Sequence, residues 1–221
     1  GRILIAYDRT LRRHVAIKEL LVKSGHAEER FVREALITAK LEHPNIVTVH
    51  EAGRFEEGER FYAMQLVQGR ALAEAIDEAD TPLKRLALVP VIIDVAAAVA
   101  YAHSQRVLHR DLKPANVMLG AFGETLLLDW GLAKDLDQRE EEQSRPPSDE
   151  QPSPFQTADG IVVGTPPYMP PEQAGALGID ERADVYALGA MLYHVLAGAR
   201  PYEEAPDAEV REAVVTRPPR D

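Results

Sequence analysis

Cysteine is absent from this chain of 221 residues, so neither a disulfide framework nor a thiolate-held metal can organise it. A basic excess is absent too: 25 Lys+Arg stand against 36 Asp+Glu, a net charge of −11. A surface of that sign repels phosphate backbones, which argues against a nucleic-acid binder. The chain opens Gly1-Arg2-Ile3 without Met, and no positively charged segment leads into an apolar core and a small-residue cleavage site, so no signal peptide is expected. Internal repeats are lacking. The most apolar stretch, from Leu86 to Ala102, is interrupted by Pro90 and Asp94 and is short for a bilayer span. It reads as a buried helix of a soluble core, entered through the N-cap and first-turn proline Thr81-Pro82, and no membrane segment is expected.

What is present suits a folded protein. Hydrophobic residues make up 45% and charged ones 28%, enough for a core in one domain or two packed lobes. The first part reads as strands over Ile3–Tyr7, Val15–Leu20, Ile46–His50 and Phe61–Val67, which are short and rich in β-branched or aromatic residues. One helix, Ala27 to Lys40, interrupts them, with Phe31, Ala35 and Thr38 and then Val32, Leu36 and Ala39 recurring at helical spacing. After Gly69 the pattern becomes helical. Leu83–Ser104 and Ala183–Ala197 are the strong segments, the second stopped by Gly198. Between them lie two short strands, Val117–Leu119 and Thr125–Leu128.

Residues 135–160 stand apart. From Asp135 to Glu150 two arginines face seven acids, a net of −5, and Pro146, Pro147, Pro152 and Pro154 forbid a helix. This stretch reads as a mobile acidic surface loop.

Four motifs carry chemistry. His109-Arg110-Asp111-Leu112-Lys113-Pro114-Ala115-Asn116 fills every position of a catalytic-loop pattern. Asp129-Trp130-Gly131 follows an apolar strand eighteen residues after Asp111. Val15-Ala16-Ile17-Lys18 lies far upstream, and Gly164-Thr165-Pro166-Pro167-Tyr168-Met169-Pro170-Pro171-Glu172 lies downstream. Each alone could be chance; all four in this order are a strong signal.

On these residues the chain resembles the catalytic domain of eukaryotic-type serine/threonine protein kinases, with wording most like their bacterial members. The resemblance implies an α+β, bilobal fold: a small β-rich lobe over residues 1–67 and a larger helical lobe over 68–221. It implies ATP and Mg²⁺ as cofactors, protein substrates, a cytoplasmic location and a role in signalling. Phosphoryl transfer needs a positioned γ-phosphate, neutralised charge and an oriented acceptor hydroxyl. Asp111 is then the base that accepts the hydroxyl proton. Asn116 and Asp129 are hard oxygen ligands for the metal. Lys18 holds the α- and β-phosphates, and mid-helix Glu34 is its carboxylate partner. Lys113, two places after the base, touches the transferring phosphate and marks the serine/threonine class, and Thr165 packs beside both. Ala16 shares a strand face with Lys18 and roofs the adenine. Met64 is the gatekeeper. Gln65 and Val67 offer backbone groups to the adenine edge, Met118 floors the pocket and Ile3 covers it. Asp184 is expected to anchor the catalytic-loop backbone rather than to catalyse.

The chain also departs from the family. Of the glycine-rich phosphate loop only Gly1 remains, and the family's first strand and last helices, with the usual arginine partner of Glu172, are missing, so a fragment is expected. Trp130 stands where the family has Phe, and Pro170-Pro171-Glu172 replaces Ala-Pro-Glu. Neither change removes a chemical group. Two other readings compete. A dead pseudokinase would be expected to lack one of Lys18, Asp111, Asn116 or Asp129. A small-molecule phosphotransferase would lack the His109-Arg110-Asp111 wording and the Gly164–Glu172 segment. Arg110, beside the base, suggests control by phosphorylation. Among Ser144, Ser148, Ser153 and Thr157 the choice falls on Thr157, which lies past most of the acids.

Overall fold

A computed structural model of the chain describes residues 1–21, 25–136, 165–175, 178–206 and 209–218. Of the loop expected over 135–160, residues 137–160, with Thr157, lie outside the described residues, as does Gly164.

The fold is α+β. A four-stranded antiparallel sheet holds β1 (Arg2–Asp8), β2 (Arg13–Glu19), β3 (Val49–Arg54) and β4 (Arg60–Gln65) in the order β1-β2-β4-β3. Helix α1 (Gly25–Lys40) packs beside it, with Glu28 in its first turn and Lys40 in its last, both complementing the helix dipole. Phe31 and Ala35 join Tyr62 of β4 in one apolar cluster. Ile37 and Leu41 belong instead to the large core of the second half. One helix therefore contributes to two cores.

The second half contains α2 (Leu72–Asp77), α3 (Pro82–Leu86), α4 (Val89–Ser104), α5 (Pro171–Ala174), α6 (Arg182–Ala197) and α7 (Val210–Thr216). A three-stranded sheet orders β5 (Gly69–Ala71), β7 (Val117–Gly120) and β8 (Thr125–Leu127), and a two-stranded ribbon pairs β6 (Val107–Leu108) with β9 (Lys134–Asp135). Helices α4 and α6 pack together around Val95, Val99, Met191 and Val195, all at most 2% exposed. At full burial such side chains stabilise by about 1.5–3 kcal/mol each. Gly198 ends α6 with φ +72°, and its N–H reaches the carbonyl of His194 at 2.9 Å.

Three expected elements shift. The strand expected over Ile46–His50 starts at Val49. Ile46 and Val47 are buried, but they turn to the second half: Val47 N–H donates to the Leu127 carbonyl at 3.2 Å, and Leu127 N–H to that of Asn45 at 2.8 Å. The helix expected over Leu83–Ser104 is two helices. Proline has no N–H to donate and its ring crowds the carbonyl four residues back, so Pro90 belongs in a first turn and α4 begins beside it. Taken together, Pro82–Ser104 is long and apolar enough to cross a membrane, where Leu86–Ala102 by itself reads as short, yet Ile92, Val95, Ala98, Val99 and Ala102 are buried in the core. Finally, Asp135, expected in the mobile loop, is a β9 residue paired with Val107. In α1, Leu36 and Ala39 are exposed, so the second apolar column does not face the core.

Candidate active site

Strand register sets the first cluster. In β2, Lys18 lies opposite Ile3 of β1 and Tyr62 of β4, and Ala16 opposite Ile5 and Met64. Directly opposed residues in an antiparallel pair share a face. Lys18 thus projects with Tyr62 toward α1, where its ammonium holds Glu34 Oε1. Tyr62 OH donates to that same oxygen at 2.6 Å. Lys18 Nζ also lies 3.4 Å from Asp129 Oδ1. Burial pulls the Lys18 pKa down, but the Glu34 and Asp129 carboxylates outweigh it, and the net shift is upward. For Asp129 burial pushes upward; the charge of Lys18, the Lys18 hydrogen bond and the Gly131 N–H outweigh it, and the net shift is downward.

The second cluster surrounds Asp111. Lys113 Nζ donates to Asp111 Oδ2 at 2.7 Å and to Thr165 Oγ1 at 2.9 Å, while Thr165 OH donates to Asp111 Oδ1 at 3.1 Å. Asn116 Nδ2 donates to the Asp111 carbonyl at 2.9 Å and reaches Oδ2 at 3.3 Å. Every atom here is held by a partner from the same loop or from Thr165, so the carboxylate has one orientation.

The loop itself hangs on Asp184. This α6 carboxylate, 1% exposed, accepts the backbone N–H of His109 at 2.9 Å and of Arg110 at 2.8 Å, and meets His103 Nε2 at 2.7 Å. Burial pushes its pKa up, and the His103 bond and the two N–H groups bring it below its ordinary value. Those bonds accompany Arg110's left-handed φ of +69°, a conformation costly for a side-chain-bearing residue. Gln173 of α5 secures the Arg110 carbonyl at 2.9 Å. His109 accepts the Asp111 N–H at Nδ1 and donates from Nε2 to the Leu128 carbonyl, which assigns its neutral tautomer. Its ring packs on Trp130, centroids 4.6 Å apart, so the larger ring in the family's Phe position is accommodated.

The hairpin β7–β8 joins the two candidate metal ligands. Asn116 precedes β7, Asp129 lies two residues past the end of β8, and Leu128 N–H donates to the Asn116 carbonyl at 2.8 Å. The amide nitrogen of Asn116 is committed to Asp111, so its side-chain oxygen is the end able to face a cation. Both ends are hard oxygen donors, the type that suits Mg²⁺, an ion that takes few protein ligands and fills its shell with phosphates and water.

The other expected residues are located by strand register, backbone bonds and burial. Gly1 abuts β2: a Cβ there would come within 2.9 Å of the Glu19 carbonyl and 3.9 Å of Lys18 Cε. Ile3 is 61% exposed and Ala16 is buried. Gln65 ends β4, its N–H on the Thr48 carbonyl at 2.9 Å. Val67 lies two residues on, and among the described turns and loops its N–H and carbonyl bond to no backbone group. Met118 lies in β7 opposite Ala71 and Leu126, in the other sheet from Ala16. Sequence reasoning missed Tyr62, His103 and Gln173. Only Tyr62 had a signal, two places from Met64 on an alternating strand.

The protein kinase domain family matches residues 1–218. The chain is 38% identical to serine/threonine-protein kinase PknD of Protochlamydia amoebophila, over 96% of this chain and 23% of that protein. It is 38% identical to serine/threonine-protein kinase PknJ of Mycobacterium bovis, over 95% of this chain and 34% of that protein, and 34% identical to serine/threonine-protein kinase pkn3 of Myxococcus xanthus, over 92% and 36%. The chain thus spans between about a quarter and about a third of the length of these relatives. Matched along nearly all its residues, and bringing a strand lysine onto a helix glutamate and a loop lysine onto a loop aspartate, this chain belongs to the protein kinase domain family.

Proposed function

We propose that the protein transfers the γ-phosphate of ATP to serine or threonine hydroxyls of protein substrates. The observation that carries this reading is the hydrogen-bonded set Asp111–Lys113–Thr165, which fixes the orientation of the Asp111 carboxylate, as a base for an acceptor hydroxyl requires. In the reaction the acceptor oxygen forms a bond to the γ-phosphorus as its proton passes to Asp111. The bond from that phosphorus to the bridging oxygen breaks, and ADP departs with the electron pair. Lys113 neutralises charge on the moving phosphoryl group. Lys18, steadied by Glu34, draws the α- and β-phosphates into line. Asn116 and Asp129 would hold Mg²⁺, which supplies electrostatic neutralisation of the phosphates.

Ala16, Met64, Gln65, Val67, Met118, Ile3 and Gly1 form the nucleotide site in this reading, with the N–H and carbonyl of Val67, which bond to no backbone group in the described turns and loops, suited to an adenine edge. Residues 1–67 and 68–221 form the two lobes in this reading, and Thr157 remains the proposed activating phosphorylation site. The cytoplasm, which supplies ATP, is the compartment implied.

The decisive experiment is Asp111→Asn in the full-length protein. Phosphoryl transfer to a generic protein substrate should fall by roughly two to four decades, with ATP binding retained. Near-normal turnover would reject the assignment.

A further inference from the structure

Helix α1 is tied at three levels. Near its N-terminus Glu28 accepts from Arg54 of β3 and Arg60 of β4. Glu34 holds Lys18 and Tyr62. In the last turn Lys40 Nζ reaches Asp135 Oδ2 at 3.3 Å, across 95 positions of sequence. The first two ties stay within the first sheet. The third leaves it for β9.

The position of Asp135 gives that third tie its reach. Its strand pairs with β6, Val107 opposite Asp135 and Leu108 opposite Lys134, and Leu136 N–H bonds the Arg106 carbonyl at 2.8 Å. Strand β6 runs directly into His109 and Asp111. In the other direction Asp135 follows Asp129 by six residues, through a turn closed by the Ala133 N–H on the Trp130 carbonyl at 2.9 Å. The ribbon thus connects with both the candidate base and the candidate metal ligand. The Asp135 side chain is only 9% exposed, and a carboxylate so placed is costly without a countercharge.

The geometry points to Lys40 and Asp135 as positioning residues that register the Glu34 helix against the ribbon bearing Asp111 and Asp129. Neither touches the reacting groups. The pair acts through α1, so that Lys18 and Asp129 face each other only when α1 and β9 are in step. Because Ile37 and Leu41 also anchor that end of α1, the pair tunes alignment rather than sustaining the fold. The inference rests on Glu34 serving Lys18 in phosphoryl transfer.

The test is a double-mutant cycle in the full-length protein with Lys40→Met, Asp135→Asn and both together. Each single change should lower kcat about two- to fivefold with KM for ATP little altered, and the double variant should fall no further than the worse single. Amide exchange should quicken in residues 35–41 and 131–136 together. Wild-type turnover in Lys40→Met, multiplying effects in the double variant, or exchange that quickens on one side only would overturn the inference. Lys40→Met alone decides the kinetic arm should Asp135→Asn not fold. Asp111→Asn, assayed alongside, separates the two levels: its retained turnover would reject the functional reading, while the exchange data still judge the tie.

Discussion

The Tyr62 hydroxyl donates to Glu34 Oε1 at 2.6 Å, the same oxygen that the Lys18 ammonium holds. Burial first, and then the Glu34 charge, push the phenol's pKa above its ordinary value, so it remains a donor throughout the working pH range. Tyr62→Phe removes one hydrogen bond to a carboxylate that keeps its cation. The expected loss is about 1 kcal/mol, roughly fivefold in kcat/KM. Steady-state kinetics at saturating protein substrate check it; unchanged kinetics would assign the phenol to packing alone.

Asp129→Ala removes the carboxylate that faces Lys18 and the candidate metal position. Calorimetric titration with ATP should show Mg²⁺-dependent binding in the parent protein and little metal dependence in the variant. A variant whose ATP affinity still rises with Mg²⁺ as in the parent would exclude Asp129 as a ligand.

Two buried groups predict acid sensitivity. Asp184 has a folded pKa below its unfolded value, so its contribution is present above about pH 4 and is lost as pH falls through the folded value. His194 accepts or shares the Tyr168 hydroxyl proton at 2.8 Å. Burial, then the charge of Arg200, lower its pKa against the opposing pull of Asp77 and Glu203. A depressed histidine favours the unfolded state once protons are available, so its contribution is present above about pH 6.5 and fades below it. Melting temperature should therefore decline in two stages on acidification. His194→Gln should flatten the first stage, and an undiminished first stage would exclude His194 as its source.

Asp184→Ala leaves the N–H groups of His109 and Arg110 without their buried acceptor. The expected cost is about 3–5 kcal/mol, enough to unfold a marginal domain. Asp184→Asn keeps one acceptor oxygen and should lie between. Denaturant unfolding gives the order, and equal stability of the two variants would contradict it.

Gly69→Ala tests the sheet of the second half. A Cβ at Gly69 would lie 1.9 Å from the Leu119 carbonyl oxygen, which is backbone and cannot step aside. Strand β5 must then part from β7, at a cost of about 1–3 kcal/mol. Thermal unfolding checks this; a melting temperature equal to the parent's would mean that the strands separate freely.

The sequence by itself determined the chemical inventory. Lys18, Asp111, Lys113, Asn116 and Asp129 stand in linear motifs whose spacing carries their meaning, and Glu34 was legible because flanking apolar residues mark an inward helix face. Element types were also legible, since periodicity and glycine or proline punctuation act locally. Tertiary structure decided which groups meet. Tyr62 reaches Glu34 only because β4 pairs with β2 in one register, and Lys40 reaches Asp135 only because β9 pairs with β6. The apolar run at Ile46 and Val47 is buried either as a strand of the first sheet or as a seam against Leu127, and hydrophobicity does not distinguish the two. Burial is written residue by residue, whereas a hydrogen bond between distant residues depends on the register and rotation of two elements at once, and those are fixed only when the whole core packs.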